Sequence, residues 1–126
     1  ITGDGSFQMN MAEMATIGEH NLPVKILLMN NSSLNLVKQL QQFQCNERYS
    51  AINFTGNPDF KALAEAYPNM ETYRISSEEE IDAVLTEALS HPRPSLIECM
   101  ISNEDIVYPI VPAKKGLDEM IGVEKW

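Results

Sequence analysis

Basic residues are scarce in this chain of 126 residues: 9 Lys and Arg stand against 18 Asp and Glu, a formal net charge of −9. A surface of that sign repels phosphate backbones and anionic headgroups, which argues against nucleic acid or an anionic membrane as a partner. It suits a soluble cytoplasmic protein. Cysteine is nearly absent. Cys45 and Cys99 lie far apart and outside any Cys-x-x-Cys pattern, so they read as free thiols in a reducing compartment rather than as a disulfide or a metal site. No apolar run approaches the ~18 residues of a membrane span, and Ile1 to Asn10 lacks the basic and apolar regions of a secretory signal. Internal repeats and Gly/Ser-rich linkers are missing too. With 44% hydrophobic residues the chain can bury one modest core, which points to one domain.

Three familiar ligand signatures are also lacking: the Gly-x-Gly-x-x-Gly of dinucleotide sites, the Gly-Lys-Ser/Thr of a P-loop, and an EF-hand loop. What stands instead is Gly3-Asp4-Gly5-Ser6, followed by Asn30-Asn31-Ser32-Ser33 after one amphipathic stretch and one apolar run. Gly3 and Gly5 flank a single carboxylate and allow a sharp turn and close approach of a ligand, while Ser6 offers a backbone N–H and a hydroxyl. The turn is expected to open a helix over Met9 to Glu19, with Phe7, Met9, Met14 and Ile17 on its apolar stripe. Unpaired N–H groups of the first turn, backed by the dipole, would then face an anion.

Asp4 beside a diphosphate requires a cation between them, and Mg²⁺ does this with octahedral oxygen coordination. Val24 to Met29 reads as a buried parallel strand, so Asn30-Asn31 falls at its C-terminal end, the edge where open parallel sheets bind ligands. One βαβ unit thus brings both turns to one edge. Either turn alone is ordinary turn chemistry. Their order along the chain suits a magnesium-bridged diphosphate.

Further on, Leu34, Val37, Leu40 and Gln41 have helical spacing, and Gln44 to Asn57 has no periodicity and reads as a functional loop. Asn57-Pro58-Asp59 is expected to start a helix through Tyr67, with Pro58 in its first turn. A strand over Glu71 to Ile75 follows. Ser77 and Glu80 form a capping box for a helix carrying Ile81, Val84, Leu85, Ala88 and Leu89, and Ser95 to Ile101 is the clearest late strand. His20 and His91 fall at helix C-termini, where the dipole favours them over a catalytic role. The seven Met residues are read as core packing, Arg48 as a solvated side chain, and the segment after Ser102 as a surface-wrapping tail. The fold expected is a three-layer α/β/α arrangement with a mostly parallel sheet.

Gly3-Asp4-Gly5 with Asn31 resembles the thiamine diphosphate motif. The wider stretches 3–10, Asn21-Leu22-Pro23, Leu34 to Gln39, Glu47-Arg48-Tyr49-Ser50, Asn57-Pro58-Asp59-Phe60 and Tyr108 to Pro112 resemble the acetohydroxyacid (acetolactate) synthase large subunit, over essentially the whole chain. The resemblance implies that Asp4 and Asn31 bind Mg²⁺ through side-chain oxygens and Ser33 through its carbonyl, while Gly3, Gly5 and Ser6 line the diphosphate. Leu36 stands where the family usually has a Met near the reactive ring. Leu40 stands where a Trp often shapes the acceptor-substrate pocket, and Asn35 replaces a common Gly.

The implied activity is decarboxylation of pyruvate and condensation of the two-carbon unit with a second 2-oxo acid, pyruvate or 2-oxobutyrate, in branched-chain amino acid biosynthesis. FAD in some members, a homodimer or tetramer and a regulatory subunit belong to the same implication. The chain starts at Ile1 without a Met. Residues 1–126 are accordingly expected to be the C-terminal part of the diphosphate-binding domain, with the activating Glu in another domain, no catalytic residue here and no turnover by this part alone. Another thiamine diphosphate decarboxylase or carboligase would share the metal motif, and a non-catalytic diphosphate-binding module is the alternative of another class. Leu34 to Ser50 and the Tyr108 to Pro112 tail favour the synthase.

Overall fold

The β-branched and aliphatic runs of this chain condense into one sheet, seen in a computed structural model that describes residues 1–122. Its strands are β1 (Thr2–Gly3), β2 (Lys25–Asn30), β3 (Glu71–Ile75) and β4 (Ser95–Met100), all parallel, in the order β1-β2-β4-β3. Parallel neighbours need crossovers, and helices supply them. They are α1 (Asp4–Gln8), α2 (Met14–Glu19), α3 (Asn35–Gln44), α4 (Phe60–Glu65) and α5 (Ile81–Ser90). The expected three-layer α/β fold is what forms.

Period-two alternation on the central strands divides the core between the two faces of the sheet. Leu28 and Leu96 pack on one face with Phe7, Met14, Phe60 and Ala64 from α1, α2 and α4. Phe7 meets Phe60 edge to face at 5.8 Å. On the other face Ile75 and Ile97 pack under Ala88 of α5, flanked by Leu27, Val84 and Leu85. Full burial of a side chain such as Phe60 or Leu96, both 0% exposed, stabilises by about 2–3 kcal/mol. In register, Asn30 lies opposite Met100 and Gly3 opposite Met29, so the ends of β1, β2 and β4 share one edge.

Several elements differ from expectation. The helix anticipated over Met9 to Glu19 is broken: α1 starts earlier, at Asp4, and Asn10 leaves helical geometry (φ −130°) before a 3₁₀ turn at Met11–Glu13 and then α2. Phe7 and Met14 anchor the two short pieces in one core, which leaves Met9 exposed. Pro58 precedes the first turn of α4 instead of sitting in it, because Asp59 is the N-cap, accepting from the Ala62 N–H at 3.1 Å. Methionine is not uniformly core: Met14 is buried, whereas Met9 and Met100 face outward. Leu89 on α5 is also exposed. The strands β3 and β4 and the Ser77/Glu80 capping box form as expected.

Candidate functional site

The acidic turn runs directly from β1 into α1. Gly3 is extended (φ −85°), a conformation open to any residue, so the turn does not require a glycine there. A Cβ on Gly3 would meet nothing within 4 Å and would stand in open space beside Asp4. Gly5 has a different reason to be small: a Cβ there would come within 2.8 Å of Leu34 Cδ2 and 3.1 Å of the Phe54 ring. Packing against the segment before α3 and the loop after it fixes that residue. With five residues, α1 accumulates little macrodipole, so an anion at this turn must rely on individual N–H groups and on a cation.

The amide turn follows β2. Asn31 Oδ1 accepts from the Ser33 N–H at 3.0 Å, and Ser32 is left-handed (φ 52°), which curls the chain back over the strand end. Ser33 is buried. Its hydroxyl donates to the Ile52 carbonyl at 3.2 Å, the Leu34 N–H donates to the same carbonyl at 2.8 Å, and the Phe54 N–H donates to the Ser32 carbonyl at 2.8 Å. The irregular stretch expected over Gln44 to Asn57 is therefore fastened to this turn at Ile52–Phe54.

Between the two turns lies a cavity of about 380 Å³. Gly3, Asp4, Gly5, Ser6, Asn31, Ser33 and Leu36 all line it, together with Asn35 and Ile101. Asp4 is 1% exposed. Leu40, one turn beyond Leu36 on α3, is half exposed and does not line this cavity, so the structure brings together every sequence-named site residue but that one. Asn35 donates to the Asp105 carbonyl at 2.6 Å while its buried Oδ1 has no donor among the described residues. Lys38 and Gln39 donate to the Asn103 and Val107 carbonyls, so the tail lies along α3.

A scan against protein families matches residues 1–99 to the model described as thiamine pyrophosphate enzyme, C-terminal TPP binding domain. The chain belongs to that family. Among curated proteins it is similar to the acetolactate synthase large subunit of Pyropia yezoensis, 40% identical over 126 residues (99% of this chain, 21% of the relative). It also resembles the acetolactate synthase isozyme 2 and isozyme 1 large subunits of Escherichia coli K12. Identity is 38% over 121 residues for the first (96% of this chain, 22% of the relative) and 40% over 122 residues for the second (97% and 22%). The chain thus spans about a fifth of the length of these relatives.

The donor chemistry of the cavity fits the diphosphate of thiamine pyrophosphate (thiamine diphosphate) held through a hard cation. A carboxylate, an amide oxygen and a backbone carbonyl are oxygen donors of the kind Mg²⁺ takes. Among the described residues no three His, Cys, Asp or Glu converge, so these oxygens differ in kind from a zinc-type cluster.

Residues that sequence reading left out surround the acidic and amide turns. Asn57 Nδ2 donates to Asp4 Oδ2 at 2.6 Å and lies 3.3 Å from Asn30 Oδ1 and 3.4 Å from Ser32 Oγ, while Gln8 Nε2 donates to Asn57 Oδ1 at 2.9 Å. Asn30 in turn donates to buried Glu98 at 2.8 Å, and Glu98 accepts from Arg74 at 2.8 Å. Arg74 also pairs with Asp59 at 2.5 Å. The Ala62 N–H first, and then Arg74, hold the Asp59 carboxyl below its ordinary range. Burial, reinforced by the charge of Glu98, pushes the Cys99 thiol up, which makes it a poor nucleophile. A lone Glu inside the apolar run Ser95 to Ile101 was the one sequence signal of this network.

Proposed function

We propose that the chain is the Mg²⁺-thiamine diphosphate-holding part of an acetolactate synthase. Such an enzyme decarboxylates pyruvate and condenses the two-carbon unit with a second 2-oxo acid, pyruvate or 2-oxobutyrate, in branched-chain amino acid biosynthesis. The observation that carries this reading is the convergence of Asp4, Asn31 and Ser33 on one cavity, in a chain whose relatives are named acetolactate synthase. When bound, thiamine diphosphate supplies the electron sink for decarboxylation and carbon–carbon bond formation. The protein's part here is binding and orientation. Asp4 and Asn31 would offer side-chain oxygens and Ser33 its carbonyl to the cation, the Gly3 to Ser6 turn would line the diphosphate, and Leu36 would lie toward the reactive ring. Leu40, where relatives of this kind often carry Trp, would act on the acceptor from outside the cavity.

The name "large subunit" on the relatives supports a regulatory partner, and an acidic surface supports a cytoplasmic setting. The test is acetolactate formation from pyruvate by the full-length protein, with Mg²⁺ and thiamine diphosphate saturating. Parent protein is expected to turn over and Asp4→Ala to lose at least about 100-fold in activity, equivalent to about 2.7 kcal/mol. A parent that decarboxylates pyruvate but releases only acetaldehyde would place the chain in a decarboxylase instead.

A further inference from the structure

We propose that Asn57 is a positioning residue for the cation site: its amide holds one oxygen of Asp4 so that the other is presented to the metal. The inference rests on the reading of the cavity as a Mg²⁺-diphosphate site. A buried carboxylate on a short helix has rotamer freedom unless something fixes it, and Mg²⁺ tolerates little deviation from octahedral geometry. Asn57 Nδ2 sits 2.6 Å from Asp4 Oδ2, and Asp4 is 1% exposed. A neutral amide is chemically apt for this task. A Lys or Arg would cancel the charge the cation needs, and a carboxylate would repel Asp4.

The orientation of the Asn57 amide is set on both sides. Gln8 donates to its oxygen at 2.9 Å, and its nitrogen faces Asp4, Asn30 Oδ1 and Ser32 Oγ, all able to accept. Asn57 precedes Pro58, which biases its backbone to an extended form and away from the helix that follows. It therefore reaches from the segment before α4 across both cofactor turns and ties the acidic one to the amide one. Outer partners of this type orient metal ligands, and their loss costs about 10–100-fold in metal affinity.

The experiment is calorimetric titration of thiamine diphosphate into the full-length protein with saturating Mg²⁺, and separately with saturating Ca²⁺, whose coordination is larger and more flexible. Asn57→Ser is expected to weaken the Mg²⁺-supported affinity about tenfold or more and the Ca²⁺-supported affinity by about threefold or less. Gln8→Glu, which places an acceptor against the Asn57 oxygen and so turns the amide over, should give the same cation-selective loss. That second variant also carries the test if Asn57→Ser fails to fold. Equal losses with both cations, or no loss, overturn the inference, since a residue that merely tethers the loop would weaken both alike. A parent that binds the cofactor without any divalent cation overturns the Mg²⁺-diphosphate reading and the inference together, whereas cation-dependent parent binding with unselective variants overturns the inference alone.

Discussion

A carboxylate buried in the face of a sheet loses its hydration, and Glu98 recovers the loss from two sides, the Asn30 amide and the Arg74 guanidinium. One consequence reaches the site. Because Asn30 Nδ2 is committed to Glu98, its Oδ1 turns toward Ser32 and Asn57, and the neighbouring Asn31 is the one that faces the cavity. Removing Arg74 leaves Glu98 buried with its charge unpaired. We expect Arg74→Met to destabilise by about 3 kcal/mol, and Arg74→Met with Glu98→Gln to regain at least about 1 kcal/mol of that, read from urea unfolding midpoints. Additive losses would mean the two side chains are not coupled.

At this scale Asp4 and Asn31 stood out through the local pattern of their turns, whereas Ser33 and Leu36 followed only from the family resemblance; all four line one cavity. Asn57 and Gln8 were not. Their bond joins residues 49 positions apart, and nothing local to either one indicates it. Asn57 before Pro58 looked like a helix start, which explained it sufficiently to hide its contact with Asp4.

Elements with strong periodicity and clear punctuation formed where their residues indicated. Glu71 to Ile75, bounded by Pro68-Asn69 and Ser76-Ser77, is a strand with those limits, and the Ser77/Glu80 box starts the turn that leads into α5. The stretch from Asp4 to Glu19 did not, because tertiary packing overrode a single helical period: two core anchors, Phe7 and Met14, are served by two short helices separated by a break at Asn10. Gly18 shows the same priority of packing over propensity. A Cβ at this position would collide with the Pro68 carbonyl oxygen, and the Gly18 carbonyl accepts from Asn69 Nδ2 at 2.9 Å. An Ala in a helix ordinarily gains close to 1 kcal/mol over Gly. Here Gly18→Ala is expected to lose about 1–3 kcal/mol instead, because the obstacle is backbone that moves only with the turn after α4. A raised midpoint in thermal unfolding would contradict this packing.

Taken whole, the molecule uses its sheet as a partition. One face carries α1, α2 and α4, the other carries α5, and the acidic and amide turns gather at the shared C-terminal edge of β1 and β2. Among the described residues no helix is long and apolar enough to cross a membrane. The fold class was legible because apolar runs alternating with helical patterns leave few arrangements other than a parallel sheet covered on both sides. Strand order was not, since β4 inserts between β2 and β3 through pairings that no local signal encodes.

In the proposed function Asp4 and Asn31 together hold a cation that holds a diphosphate. Calorimetry of thiamine diphosphate binding to the full-length protein, with Mg²⁺ in excess and again with a chelator, tests it most directly. The parent is expected to bind only with Mg²⁺, with an affinity lower by at least about 100-fold in Asp4→Ala and a smaller loss, about tenfold, in Asn31→Ala, where a neutral oxygen is removed. Equal affinity of parent and Asp4→Ala in the presence of Mg²⁺ would contradict it.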